Sequence, residues 1–272
     1  MNKYLRLFRL QNGVMGFIGL LIAIFIAAGY DMLDQWVNIV IGGVIVVAFV
    51  AGGNSLNDYV DAEIDKTAHP DRPVPSGELT ARTAMICGYG GLAIAVVLSL
   101  FLRRWEATAI VLAAAVMMIG YEIALKQRGF VGNLCIAILT GLVFMFAGGI
   151  VGDFSQVWIL ALLAALVSVG REIAKDIEDE ESDKGSRRTL PMMIGDRKAA
   201  VVAAVFYVLG PLLSFIPFFT GLFGILYAVV VVADAIFVYC AVLVFSDPHK
   251  SEKLAKVAMF VALISFILGV AI

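Results

Sequence analysis

The chain is a succession of apolar runs, each close to the ~20 residues that an α-helix needs to cross a bilayer. Nine follow one another, at about Val14–Tyr30, Val37–Gly53, Arg82–Leu102, Trp105–Leu125, Val131–Val151, Val157–Ala174, Ala199–Phe219, Gly221–Phe245 and Leu254–Ile272. Hydrophobic residues make up 61% of the 272 and charged residues 15%, against about 45–50% and 25% in a soluble domain. No single soluble core of this size hides that much apolar surface, so a soluble enzyme, a disordered chain and a secreted disulfide scaffold are all excluded. The expected fold is an all-α polytopic membrane bundle of nine transmembrane helices, a single domain over residues 1–272. The basic start (Lys3, Arg6, Arg9) has the look of a signal peptide. No small-residue cleavage site follows it and eight more runs do, so the first run reads as a retained helix.

The basic residues give the sidedness. With helices alternating in direction, all of the 20 lysines and arginines except Arg103 and Arg104 fall on the side of the N-terminus. Cytoplasmic connections carry the excess of Lys and Arg, so the N-terminus is expected in the cytoplasm and the C-terminus outside. The net charge of −2 offers no basic field for nucleic acid, and nothing in the pattern asks for an obligate protein partner. Cys87, Cys135 and Cys240 lie in apolar runs without ligand-like spacing and read as filler.

Most of the 22 acidic residues lie in two connections on that same side, about 54–81 and 172–198. The first contains N-D-Y-V-D-A-E-I-D with Asp58, Asp61 and Asp65; the second contains K-D-I-E-D-E-E-S-D with Asp176, Asp179 and Asp183. Both read D-x-x-D-x-x-x-D at a constant offset of 118 residues. Four helices separate the copies, so they point the same way. This is an internal parallel four-helix repeat, unlike the inverted repeats of many transporters.

An i, i+3, i+7 spacing is expected to put three carboxylates on one helical face. Like charges on one face repel unless a cation sits there. Magnesium suits such a place, because it takes hard oxygen ligands, typically one or two carboxylates with substrate phosphates and water. Two acidic helix ends facing each other would hold two ions with a diphosphate between them. A merely solvated acidic face would not explain a pattern repeated at a fixed offset. Cations suited to a departing diphosphate lie nearby. Lys66 and Arg72 sit in a proline-rich loop, Lys126 ends the fourth run, and Lys184, Arg187 and Arg188 follow the second motif. His69, in the same loop, reads as solvated. Asp234 sits inside the eighth run, where it lines a cavity or bonds a neighbouring helix.

At these residues the sequence resembles the UbiA superfamily of intramembrane prenyltransferases. The likeness rests on the nine runs, on N-D-x-x-D-x-x-x-D at Asn57–Asp65, on the second acidic motif and on the Arg72-Pro73 step. It also rests on Tyr121 and Lys126, five apart here where many relatives space them by four, and on Arg9-Leu-Gln-Asn12 opening the first run. The resemblance implies that Asn57, Asp61 and Asp65 hold one Mg2+ with Asp58 supporting, and that Asp176, Asp179 and Asp183 hold another. It further implies that Arg72, Lys126 and Tyr121 face the diphosphate or the nascent allylic cation. Within the family, Arg171–Pro191 is most similar to the branch that makes archaeal ether lipids. That branch transfers geranylgeranyl from its diphosphate to the free hydroxyl of geranylgeranylglyceryl phosphate, a lipid-like acceptor. The acceptor's phosphate would then need Arg9, Lys175, Arg187 or Arg188, among which the sequence does not choose.

Other readings are an aromatic quinone precursor or a haem as acceptor, a CDP-alcohol phosphotransferase, and a secondary transporter. The second wants D-G-x-x-A-R between its aspartates, which the chain lacks. The third wants charges near the membrane midplane between inverted halves.

Overall fold

In the computed structural model, residues 2–183 and 187–271 are described, leaving aside the side chains of Ala68, Ser182, Asp183 and Ala271. The described residues are helical and contain no strand. The long helices are α1 (Leu10–Ala28), α2 (Trp36–Val60), α3 (Ala81–Ser99), α4 (Trp105–Gly120), α5 (Phe130–Val151), α6 (Val157–Glu178), α7 (Asp196–Ser214), α8 (Val230–Leu243) and α9 (Pro248–Ala271). A short helix, Lys3–Phe8, precedes α1.

Eight stretches among the described residues are long and apolar enough to cross a membrane. The first of them, Leu10–Val60, is not a single rod. Gly29 turns the chain at φ +56, and Gly29–Gln35 winds as a 3-10 segment. Beyond it α2 folds back on α1, so that Gly13 faces Val47, Gly16 faces Val46 and Gly43 faces Phe17. Numbers that fall on one helix as they rise on the other mark an antiparallel hairpin. Its two limbs hold the first two expected runs.

The outward faces show what surrounds the bundle. Trp36, Val40 and Val44 on α2, and Val201, Val205, Leu209 and Leu212 on α7, are exposed stripes at helical spacing. Apolar stripes this extensive on a protein exterior belong against lipid. Burial is concentrated in α6, where 56% of the apolar window is covered against 22% for the stretch containing α4. α6 packs against α5, α7 and α9, and so stands at the centre of the second half.

The two halves repeat each other where it matters. Helices α2 and α6 both stop at an aspartate in the same conformation, Asp61 at φ −89, ψ 8 and Asp179 at φ −87, ψ 4. In each, the aspartate N–H bonds the carbonyl four residues back, Asn57 or Lys175, at 2.9 Å. The direction of α2 is held by a close crossing with α3. A Cβ at Gly52 would stand 2.8 Å from the Leu92 nitrogen and 2.9 Å from the Gly88 oxygen, so only glycine lets the backbones meet.

Candidate active site

The first acidic motif does not lie on one helical face, which corrects the expectation from its spacing. Helix α2 ends at Val60, and the chain continues through a turn into the short helix Asp65–Ala68. The backbone ladder there runs in steps of four, with Asp61 N–H to Asn57 O at 2.9 Å and Asp65 N–H to Asp61 O at 2.8 Å. Asn57, Asp61 and Asp65 therefore share a side and line a cavity of about 640 Å3. Asp58 points elsewhere. Its buried carboxylate accepts from Arg9 Nη2 at 2.6 Å and lies 3.9 Å from Arg72 Nη1. In this structure it anchors two arginines beside the residues expected to hold the metal, where it was expected in a supporting part.

Those arginines form one wall. Arg9 sits between the Lys3–Phe8 helix and α1 in the left-handed region, φ +47, which turns its side chain back over α2. It donates to Asn54 Oδ1 at 3.2 Å and Asn57 Oδ1 at 3.4 Å as well as to Asp58, while Asn54 Nδ2 donates to Phe8 O. Arg72 donates to Asp65 Oδ2 at 2.5 Å. His69 lines the same cavity beside them. Lys66 instead pairs with exposed Glu63.

The five-residue spacing of Tyr121 and Lys126 has a structural cause. Helix α4 gives way to a π turn at Tyr121–Leu125, closed by Lys126 N–H to Tyr121 O at 3.0 Å. A π turn closes i to i+5, so residues five apart stand one above the other, and such turns recur at functional sites. Lys126 is buried and donates to Asp61 Oδ1 at 2.6 Å and Glu122 Oε2 at 2.8 Å. Asn57 Nδ2 donates to Asp61 Oδ2 at 2.9 Å and Glu122 Oε2 at 3.3 Å. One network thus joins Arg9, Asn57, Asp61, Glu122 and Lys126. Glu122 was missed from the sequence because it stands alone in an apolar run. Its spacing of four from Lys126 was the available signal.

Across the cavity, α6 contributes Glu172, Lys175 and Asp179, and the segment after it contributes Arg187. Asp176 lies one step round the helix and lines an annex with Tyr121, Lys126, Asn133 and Asp179. Asn133 Nδ2 donates to Asp176 Oδ2 at 2.7 Å. Asp179 thus matches Asp61 in lining the main cavity, while Asp176 lines the annex beside it and, unlike Asp58, is held by an asparagine. Arg188 is exposed and lines neither space, unlike Arg187. The side chain of Asp183, and Lys184 altogether, lie outside the described residues. Glu172 and Asn133 were also missed as site residues: Glu172 opens the second acidic connection but falls outside its D-x-x-D-x-x-x-D pattern, and Asn133 lies in an apolar run.

The donor set can be tested against a divalent ion. Among the described residues no three carboxylate, histidine or cysteine groups converge into a closed metal cage. Asp61 is held by Lys126 and Asp65 by Arg72. Asp61 and Asp65 line the space from one side and Asp179 from the other. That fits Mg2+, which binds through one or two carboxylates and completes its shell with substrate phosphates and water. The wall turned toward the membrane is apolar, with Phe49, Val50, Met118 and Ile136. Asp234 takes no part here; it accepts from Ser214 Oγ at 2.7 Å and lines a separate chamber, so both readings left open for it hold together.

A polytopic helical bundle with paired acidic helix ends over a cavity that is cationic above and apolar below defines a membrane enzyme for an amphiphilic anion. The UbiA prenyltransferase family matches residues 16–264, and the chain belongs to that family. It is a multi-pass intramembrane prenyltransferase. It is 37% identical over 276 residues, 99% of each chain, to the digeranylgeranylglyceryl phosphate synthase of Methanosphaera stadtmanae. It is 38% identical to that of Natronomonas pharaonis over 91% of this chain and 89% of the relative. A solved digeranylgeranylglyceryl phosphate synthase superposes with a TM-score of 0.83 at 32% identity, covering 99% of this chain and 98% of that one. A UbiA homolog from Archaeoglobus fulgidus bound to DMAPP and Mg2+ shares the fold, with a TM-score of 0.71 at 15% identity over 97% and 99%.

Proposed function

We propose that this chain transfers a geranylgeranyl group from geranylgeranyl diphosphate to the free hydroxyl of geranylgeranylglyceryl phosphate, in a Mg2+-dependent reaction that releases diphosphate. The observation that carries this reading is the likeness over 99% of both chains to a relative bearing the name of that activity. The cavity's chemistry supports it, and the Mg2+ and DMAPP held by the A. fulgidus homolog support the donor half.

The residues divide the work as follows. Asn57, Asp61 and Asp65 on one side and Asp179, with Asp183, on the other would hold magnesium, whose charge offsets the charge that grows on departing diphosphate. Arg72, Lys175 and Arg187 stand around the same space and bind the diphosphate oxygens. Lys126 holds Asp61 in place through its 2.6 Å contact, since a buried carboxylate needs a paired cation. Tyr121 lines the cavity, where its ring would steady the positive charge on the allylic carbon. The wall from Phe49 to Ile136 keeps water from that carbon until the acceptor hydroxyl oxygen attacks it, the C–O bond to diphosphate having broken and the hydroxyl proton passing to the released diphosphate. The acidic ends face the cytoplasm by the distribution of Lys and Arg, so a cysteine at Ser76 should react with an impermeant reagent only from that side; labelling from outside intact cells would reverse the orientation.

Purified protein with radiolabelled geranylgeranyl diphosphate and Mg2+ should alkylate geranylgeranylglyceryl phosphate and lose that activity on chelation. Transfer only to 4-hydroxybenzoate would move the protein to quinone-precursor chemistry and overturn the acceptor assigned here.

A further inference from the structure

Two lipid-like substrates need two places for their chains, and the fold holds a second apolar space. A chamber of about 350 Å3 lies among α5, α6, α7, α8 and α9, with Phe144, Val167, Phe237 and Met259 in its walls. Its polar residues fall at its two ends. Ser214 and Asp234 mark the deep end and are bonded to each other. Arg171 and Lys256 mark the end nearer the acidic motifs. Leu163 lies eight residues before Arg171 on α6, and Leu263 seven after Lys256 on α9. The chamber therefore runs about 10–12 Å beyond the cations at ~1.5 Å per residue.

The cationic end has donors to spare. Arg171 Nη1 donates to Glu252 Oε1 at 3.2 Å and Nη2 to Glu172 Oε1, while Lys256 Nζ donates to the same Glu252 oxygen at 2.7 Å. A guanidinium carries five N–H donors and an ammonium three, so most remain for a ligand. Glu172, the neighbour of Arg171, lines the reaction cavity, and Lys175 lines it one turn further along α6. A headgroup at Arg171 thus lies one residue from the space where diphosphate is expected.

We propose that this chamber binds a single-chain anionic amphiphile of the alkyl glycerol phosphate class, with its chain among Phe144, Val167 and Phe237 and its phosphate on Arg171 and Lys256. An apolar pocket with a few convergent polar groups fixes orientation as well as affinity, and here the cations fix which end of the amphiphile faces the reaction cavity. The inference rests on the acceptor proposed above and names where that acceptor sits. It adds Arg171 and Lys256 to the cations weighed from the sequence.

The test is equilibrium binding without donor or Mg2+, with geranylgeranylglyceryl phosphate and uncharged geranylgeranylglycerol as probes. Wild type should prefer the phosphate by about tenfold or more, about 1.4 kcal/mol. Lys256→Gln and Arg171→Gln should bring the probes to within about twofold of each other, and Lys256→Arg should restore the preference. Ala164→Phe, which fills the chamber, should weaken both probes alike. A preference that survives in both glutamine variants, or an Ala164→Phe protein that binds normally, would overturn the site. The acceptor assignment fails separately, if wild type binds the phosphate amphiphile this way yet transfers geranylgeranyl only to an aromatic.

Discussion

Lys126 shows how a single residue organises the site. Its ammonium is 3% exposed and sits between two carboxylates, Asp61 and Glu122, that are themselves nearly covered. Removing one member of such a group leaves uncompensated buried charge, at a cost on the order of 3–5 kcal/mol. Lys126→Met should therefore lower the apparent melting temperature in detergent by on the order of 10 °C. Adding Glu122→Gln, which removes one stranded charge, should recover part of the loss. A Lys126→Met protein that melts with wild type would show that the cluster is not held by this cation. Asp61 and Asp65 were legible from their repeated spacing, Lys126 and Arg72 as cations on the same side, and Tyr121 and Arg9 through the family resemblance. Glu122, Glu172 and Asn133 were not. Each lies outside the repeated acidic pattern, and the contact that joins Asn133 to the site reaches 43 residues along the chain, to Asp176, so packing rather than spacing reveals that they belong to it.

At the level of elements, what matters is how helix ends are aimed. The π turn after α4 lets Tyr121 and Lys126 act from one column although their spacing departs from that of many relatives. It was illegible because apolar periodicity runs through it unbroken. The division of each acidic motif, with Asp61 and Asp179 lining the main cavity, Asp58 set behind it on two arginines and Asp176 on its annex, was hidden for a related reason. Spacing alone assumes that the helix continues, and both helices stop at the aspartate that matters. The crossing of α2 and α3 aims the first of these ends. Gly52→Leu must push backbone apart where a Cβ already meets atoms at 2.8–2.9 Å. It should cost about 1–3 kcal/mol, as overpacking does, and should lower turnover with it, because Asn57 and Asp61 ride on the displaced end. Gly90→Ala, placed where nothing lies within 4 Å, is the control and should leave both stability and turnover unchanged. Equal tolerance at the two positions would remove the crossing from the account.

Over the whole molecule, the organising fact is duplication. The parallel repeat brings the ends of α2 and α6 to one end of the bundle, facing each other over a single cavity. The all-helical, multi-pass character of the bundle was readable from the apolar runs. Their arrangement around the central α6 was not, because runs that are apolar on every side do not announce which face meets protein and which meets lipid. The central claim is that the two acidic ends work as one metal and diphosphate site. The most direct test compares Asp61→Asn, Asp179→Asn and the double variant for Mg2+-dependent release of diphosphate from geranylgeranyl diphosphate and acceptor. Groups that act as a unit are strongly non-additive. Each single variant should lose activity by about a hundredfold or more, with the double variant little worse than either. Near-normal release by one single variant, or losses that simply multiply in the double, would contradict a shared site.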